Sequence, residues 1–191
     1  MPLKNFIPAP CFVYLCYNFL MKIKTKNIKD TEILAKIFAE HLPETGAFVS
    51  LFGDIGAGKT AFARLVFTLL GVKEKITSPS FVILNEYKGA KNPVNDTDMP
   101  IYHFDLYRLE NEGLETIKEE LREYSKPGVL TFVEWADFGA GELPYNRLNI
   151  SVSYDEEEFN DTRYYEFSPV GIEYEEFTKK ILNSAVAEGL I

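Results

Sequence analysis

From Met21 onward, apolar runs alternate with polar breaks, and the period of each run predicts an element. Met21-Lys-Ile-Lys-Thr-Lys alternates residue by residue, the pattern of a half-buried strand. Asp30 then predicts a helix cap, with Ile33, Leu34, Ile37, Phe38 and Leu42 at helical spacing before Pro43. Residues 47–52 are nearly all apolar, as in a parallel strand covered on both faces. Glycines interrupt the run at 53–58, and residues 60–70 read as a helix stopped by Gly71. Residues 81–87 and 101–107 read as strands joined by the polar stretch 88–99, which makes a long hairpin. A polar helix over 112–124 precedes a second continuous apolar strand, 129–133, which ends at Glu134. Residues 149–154 and 163–167 pair across the acidic turn 155–161, and 174–190 form a closing helix. The order strand, glycine loop, helix, then strands among helices predicts a three-layer α/β domain. Its central sheet is mostly parallel, with added antiparallel strands.

The glycine interruption carries the chemistry. Gly53-Asp54-Ile55-Gly56-Ala57-Gly58-Lys59-Thr60 matches G-x-x-x-x-G-K-[ST], with Gly56 as a further small residue. Glycines let successive backbone N–H groups curl around an anion, and the following helix adds the positive end of its dipole. Lys59 supplies a mobile charge for the β- and γ-phosphates of ATP, and Thr60 a hydroxyl for Mg²⁺. A phosphate-bound Mg²⁺ also needs a carboxylate, often at the C-terminal end of a neighbouring strand. Glu134 meets that requirement. Asp105, inside the aromatic strand Tyr102-His-Phe-Asp-Leu-Tyr-Arg, is the second candidate, because an aspartate there needs a partner, a metal or water. Lys59, Asp105 and Glu134 are therefore the catalytic candidates. A buried carboxylate satisfied by an arginine such as Arg108 is the alternative for both acids. Trp135 fits either the site or the core, and His103 reads more readily as a core or edge residue than as a proton carrier. Ser78, in Thr77-Ser-Pro-Ser-Phe, sits where an extended pre-proline segment can sense a γ-phosphate, although ordinary turn chemistry also explains the segment.

Composition narrows the partners. The formal charge is −9, which disfavours a surface that itself neutralises many phosphates of DNA or RNA. With two cysteines, Cys11 and Cys16, and two histidines far apart, there is neither a disulfide framework nor structural zinc spacing, which fits a reducing cytoplasm. The apolar stretch within residues 6–20 is broken by Pro8 and Pro10 and too short to span a bilayer, so no membrane role is expected. Residues 1–20 read as an extension, with Met21 as a candidate natural start and 21–191 as a single domain.

In order, Gly-Asp-Ile-Gly-Ala-Gly-Lys-Thr, Thr-Ser-Pro-Ser-Phe, Tyr-His-Phe-Asp-Leu-Tyr-Arg-Leu and Val-Glu-Trp-Ala-Asp resemble the blocks of the TsaE (YjeE) family of bacterial P-loop ATPases. The resemblance covers about residues 21–167. It implies an ATPase needed for N6-threonylcarbamoyladenosine in tRNA, working with the TsaB–TsaD complex and reaching tRNA through it. By position it implies that Gly56, Ala57, Gly58, Lys59 and Thr60 hold the ATP phosphates, with Gly53 and Asp54 opening the loop, and that Thr60 and Glu134 ligate Mg²⁺. Asp105 is then an acid one layer out from the ion or the group that positions water, Trp135 lies beside the site, and Arg163 lies against the nucleotide. A small-molecule or nucleotide kinase is the competing reading, but no arginine cluster suggests a lid. A GTP switch would want [NT]-K-x-D, which is absent from the sequence. A non-hydrolysing binding module would share the loop alone.

Overall fold

The computed structural model describes residues 22–90, 98–109, 117–139, 141–154 and 161–191. The proposed extension 1–20, most of the hairpin tip, the first half of the helix expected at 112–124 and most of the acidic turn lie outside them. Among the described residues seven strands form one sheet in the order β1-β7-β6-β2-β5-β4-β3. They are β1 (Lys22–Thr25), β2 (Gly46–Phe52), β3 (Leu84–Ala90), β4 (Asp98–Asp105), β5 (Val129–Glu134), β6 (Arg147–Ser153) and β7 (Arg163–Val170). The central run β6-β2-β5-β4 is parallel, β7 and β3 flank it antiparallel, and β1 pairs antiparallel with β7, so the sheet is mostly parallel at its centre with added antiparallel strands, as expected from the sequence.

Among the described residues four α-helices cover the sheet: α1 (Ile28–His41), α2 (Lys59–Leu69), α3 (Lys118–Glu123) and α4 (Ile172–Ala187). Because β2 is buried on both faces, its alternate residues feed two cores. Val49 and Leu51 join Leu34, Phe38, Phe62, Phe67, Phe132 and Ile181 beneath α1, α2 and α4. Phe48 joins Phe104, Leu106, Leu121 and Val133 on the α3 side. Phe38 anchors the larger core, with its ring 5.8, 5.7 and 5.1 Å from those of Phe62, Phe132 and Phe177 in edge-on packing. The layers place the C-terminal ends of β2, β5 and β4 side by side, with Leu51 opposite Glu134 and Asp105 also opposite Glu134.

Several boundaries differ from those expected. Asn27, not Asp30, caps α1, its side chain accepting from the N–H groups of Lys29 and Asp30. Asp30 instead accepts from the Lys26 N–H at 2.8 Å, so both polar residues close the same turn. The hairpin strand expected at 81–87 begins only at Leu84. Phe81, Val82 and Ile83 belong to a turn in which the N–H groups of Val82 and Ile83 both donate to the Pro79 carbonyl. The arms are also longer at the far end, pairing out to Ala90 and Asp98.

Candidate functional site

The loop after β2 begins with Gly53 at φ +131°, where a Cβ would lie 2.1 Å from the Val152 carbonyl oxygen of β6, so only glycine lets the chain leave the sheet here. Gly56 and Gly58 are also left-handed, and Gly58 precedes α2 with no side-chain cap. The first N–H groups of α2 thus have no side chain bonded over them, the arrangement that receives an anion.

Lys59 is buried and folded back on its own loop. Its ammonium donates to the carbonyls of Gly53 and, at 2.9 Å, Asp54. It also stands 3.8 Å from the centroid of the Trp135 ring. Burial pushes its pKa below the ordinary lysine value, against the opposing pull of Glu134, Asp105, Asp54 and Asp137. Thr60 donates its hydroxyl to Glu134 Oε2 at 2.8 Å, while Glu134 Oε1 lies 2.8 Å from His103 Nε2. Asp105 is also buried: its Oδ2 accepts from Ser78 at 2.7 Å and Ser80 at 2.6 Å, and its Oδ1 accepts from the Tyr107 N–H at 3.1 Å. Arg108, the alternative partner for Asp105, donates instead to the Phe81 carbonyl at 3.2 Å.

These groups share one cavity of about 340 Å³, lined among others by Gly56, Gly58, Lys59, Thr60, Ser78, Asp105, Glu134 and Trp135. Two non-glycine residues with left-handed backbones stand beside it. Trp135, at φ +57°, directly follows Glu134, and Ile83, at φ +70°, closes the turn after Ser80. A larger groove of about 570 Å³, near His41, Phe48, Tyr124 and Tyr174 at the opposite strand ends, contains none of the expected site residues.

The remaining expected residues have other placements. Asp54 is exposed and bonds Lys59 through its carbonyl, and Ala57 is buried under the loop. Arg163 does not line the cavity; its Nε lies 3.8 Å from where a Gly58 Cβ would be, its guanidinium donates to the Thr162 carbonyl, and it stands over the Tyr154 ring. His103, read from the sequence as a core or edge residue, is buried as expected but also meets Glu134, while Ser80 and Tyr107 join the site without having been singled out. The two-residue spacing of His103 and Asp105 on one strand, which puts both on one face, was the available signal.

The donors suit a hard divalent cation and a polyphosphate: a hydroxyl, a carboxylate, a buried ammonium and backbone amides. Among the described residues no group of three or more His, Cys, Asp or Glu is placed to hold a metal. An ion here would therefore complete its shell with phosphate oxygens and water.

The family model described as "Threonylcarbamoyl adenosine biosynthesis protein TsaE" matches residues 25–165. The chain belongs to the TsaE family. The TsaE protein of Bacillus subtilis is 35% identical over 155 residues, covering 81% of this chain and 89% of that protein. Its counterpart from Treponema pallidum is 33% identical over 133 residues, covering 69% and 90%. Each of these TsaE relatives is described as a tRNA threonylcarbamoyladenosine biosynthesis protein. The crystal structure of Bacillus subtilis YdiB superposes with a TM-score of 0.63 at 31% identity, spanning 86% of this chain and 95% of that one. The TsaE sheet seen here is thus shared with a relative solved by experiment.

Proposed function

We propose that this chain binds Mg²⁺–ATP at its glycine loop and hydrolyses it slowly, in support of tRNA N6-threonylcarbamoyladenosine synthesis by the TsaB–TsaD complex. The observation that carries the reading is the convergence of loop amides, Lys59, Thr60 and Glu134 on one cavity at the C-terminal ends of β2 and β5. Lys59 leaves the carbonyls of Gly53 and Asp54 to pair with the β- and γ-phosphates. The amides that open α2 take the remaining phosphate oxygens. Thr60 and Glu134 would hold the ion, which would supply positive charge to offset the negative charge that develops during transfer. Asp105 holds Ser78 and Ser80 beside the γ-phosphate position, so that this segment responds to the terminal phosphate.

Slow turnover follows from what the cavity lacks. No arginine is among the described residues lining it, so none of those residues offers a guanidinium to the transferring phosphoryl group. Its rim carries large apolar side chains in solvent, with Ile55 69% and Phe81 86% exposed, and Val82 and Tyr107 exposed beside them. Such a rim suits a protein partner that covers the mouth and completes the site.

The test is phosphate release from ATP and from GTP, with and without TsaB–TsaD and with candidate acceptors, alongside a pull-down of TsaB and TsaD in ATP and in ADP. ATP-selective release that rises with the complex is expected. Transfer to a small acceptor would establish a kinase instead, and activity indifferent to TsaB–TsaD would count against the partnership.

A further inference from the structure

We infer that His103 is a positioning residue for Glu134, holding its carboxylate away from Lys59 and in line with Thr60. The imidazole is completely buried, with the Phe67 ring edge-on at 5.4 Å. Among the described residues its Nδ1 has no partner, and Nε2 meets Glu134 Oε1 at 2.8 Å. An ionised carboxylate only accepts, so Nε2 carries the proton and donates it. A buried imidazole with one satisfied nitrogen is a poor choice for packing alone, since an apolar side chain would fill the position without the desolvation cost.

What the imidazole accomplishes follows from Glu134's neighbours. Lys59, whose charge Glu134 attracts, stands in the same cavity, yet Lys59 bonds its own loop's carbonyls. Were Glu134 free to rotate, its carboxylate would turn onto that ammonium, neutralising the cation meant for phosphate and withdrawing the oxygen meant for the ion. His103 fixes Oε1, which leaves Oε2 facing the Thr60 hydroxyl. Glu134 is thus held from both oxygens before any ligand arrives, and its ligand geometry is set by a residue 31 positions away on the neighbouring strand.

The functional consequence rests on the Mg²⁺–ATP reading, but the positioning itself is tested without nucleotide. With ¹⁵N-labelled histidine only His41 and His103 give signals. The His103 Nε2–H resonance should be protected from exchange and should move on Glu134→Gln; an unmoved resonance overturns the inference. In the second arm, His103→Phe keeps the packing and removes the donor, while His103→Gln restores an N–H. The Phe variant should need about tenfold more Mg²⁺ for half-maximal turnover, the lower end of the range for groups that orient metal ligands. Its affinity for ATP without Mg²⁺ should stay unchanged, and Gln should recover much of the loss. Adding His103→Phe to Glu134→Gln should cost nothing further in Mg²⁺ dependence. A His103→Phe protein with wild-type Mg²⁺ dependence, or one whose defect persists in the Glu134→Gln background, overturns the inference. Failure of the wild-type chain to bind Mg²⁺–ATP would instead defeat the proposed function, leaving the resonance test to decide on His103.

Discussion

At the scale of single residues, the proposed nucleotide site gives Lys59 and Glu134 different tasks. Lys59 is the one cation lining the cavity among the described residues, already stripped of water by burial and held by two loop carbonyls. Lys59→Ala should therefore abolish the rise in melting temperature that ATP with Mg²⁺ produces, as read by differential scanning fluorimetry. Glu134 touches Thr60 and His103 rather than the loop amides, so Glu134→Gln should lower turnover much more than nucleotide affinity. Comparing phosphate release with calorimetric titration checks this, and equal losses in both would remove Glu134 from the metal role. The loop and the strand-end acid were readable from the sequence because each is a local demand: glycines where backbone must curl, and a carboxylate where an apolar run stops. The pairing of His103 with Glu134, and of Ser80 with Asp105, was not readable, because those contacts span 31 and 25 residues and depend on the register of β4 on β5 and on how the turn before β3 folds over the end of β4.

At the scale of elements, the buried strands β2 and β5 declared themselves as continuous apolar runs, whereas the start of β3 did not. Phe81 and Val82 look like strand residues, yet they sit in a turn tied to the Pro79 carbonyl and face solvent. Hydrophobicity there marks a rim, not a core, and periodicity has no means of telling the two apart. The register of β2 on β5 has its own check. Gly46, at φ +76°, begins β2 directly against β5, and a Cβ there would lie 1.8 Å from the Val129 carbonyl oxygen. Gly46→Ala should cost roughly 3 kcal/mol in urea unfolding, because backbone rather than a flexible side chain must yield. Since β2 and β5 carry the glycine loop and Glu134, nucleotide affinity should fall in the same variant.

At the scale of the whole molecule, the site joins parts from both sides of the glycine loop: α2, the ends of β4 and β5, and the Ser78 segment. A ligand that bridges them should stabilise the domain as a unit. Nucleotide at about 100 times its dissociation constant corresponds to ~2.7 kcal/mol, or about 5–10 °C in melting temperature for a chain of this size. A scan with Mg²⁺–ATP against buffer measures it, and a shift confined to a minor early transition would mean that the site is not coupled to the fold. Trp135 is the chain's sole tryptophan, and its ring lies against the Lys59 ammonium. If Lys59 turns to a phosphate as proposed, the indole loses that charge, so intrinsic fluorescence should serve as a label-free gauge of occupancy that stopped-flow optics can follow in real time.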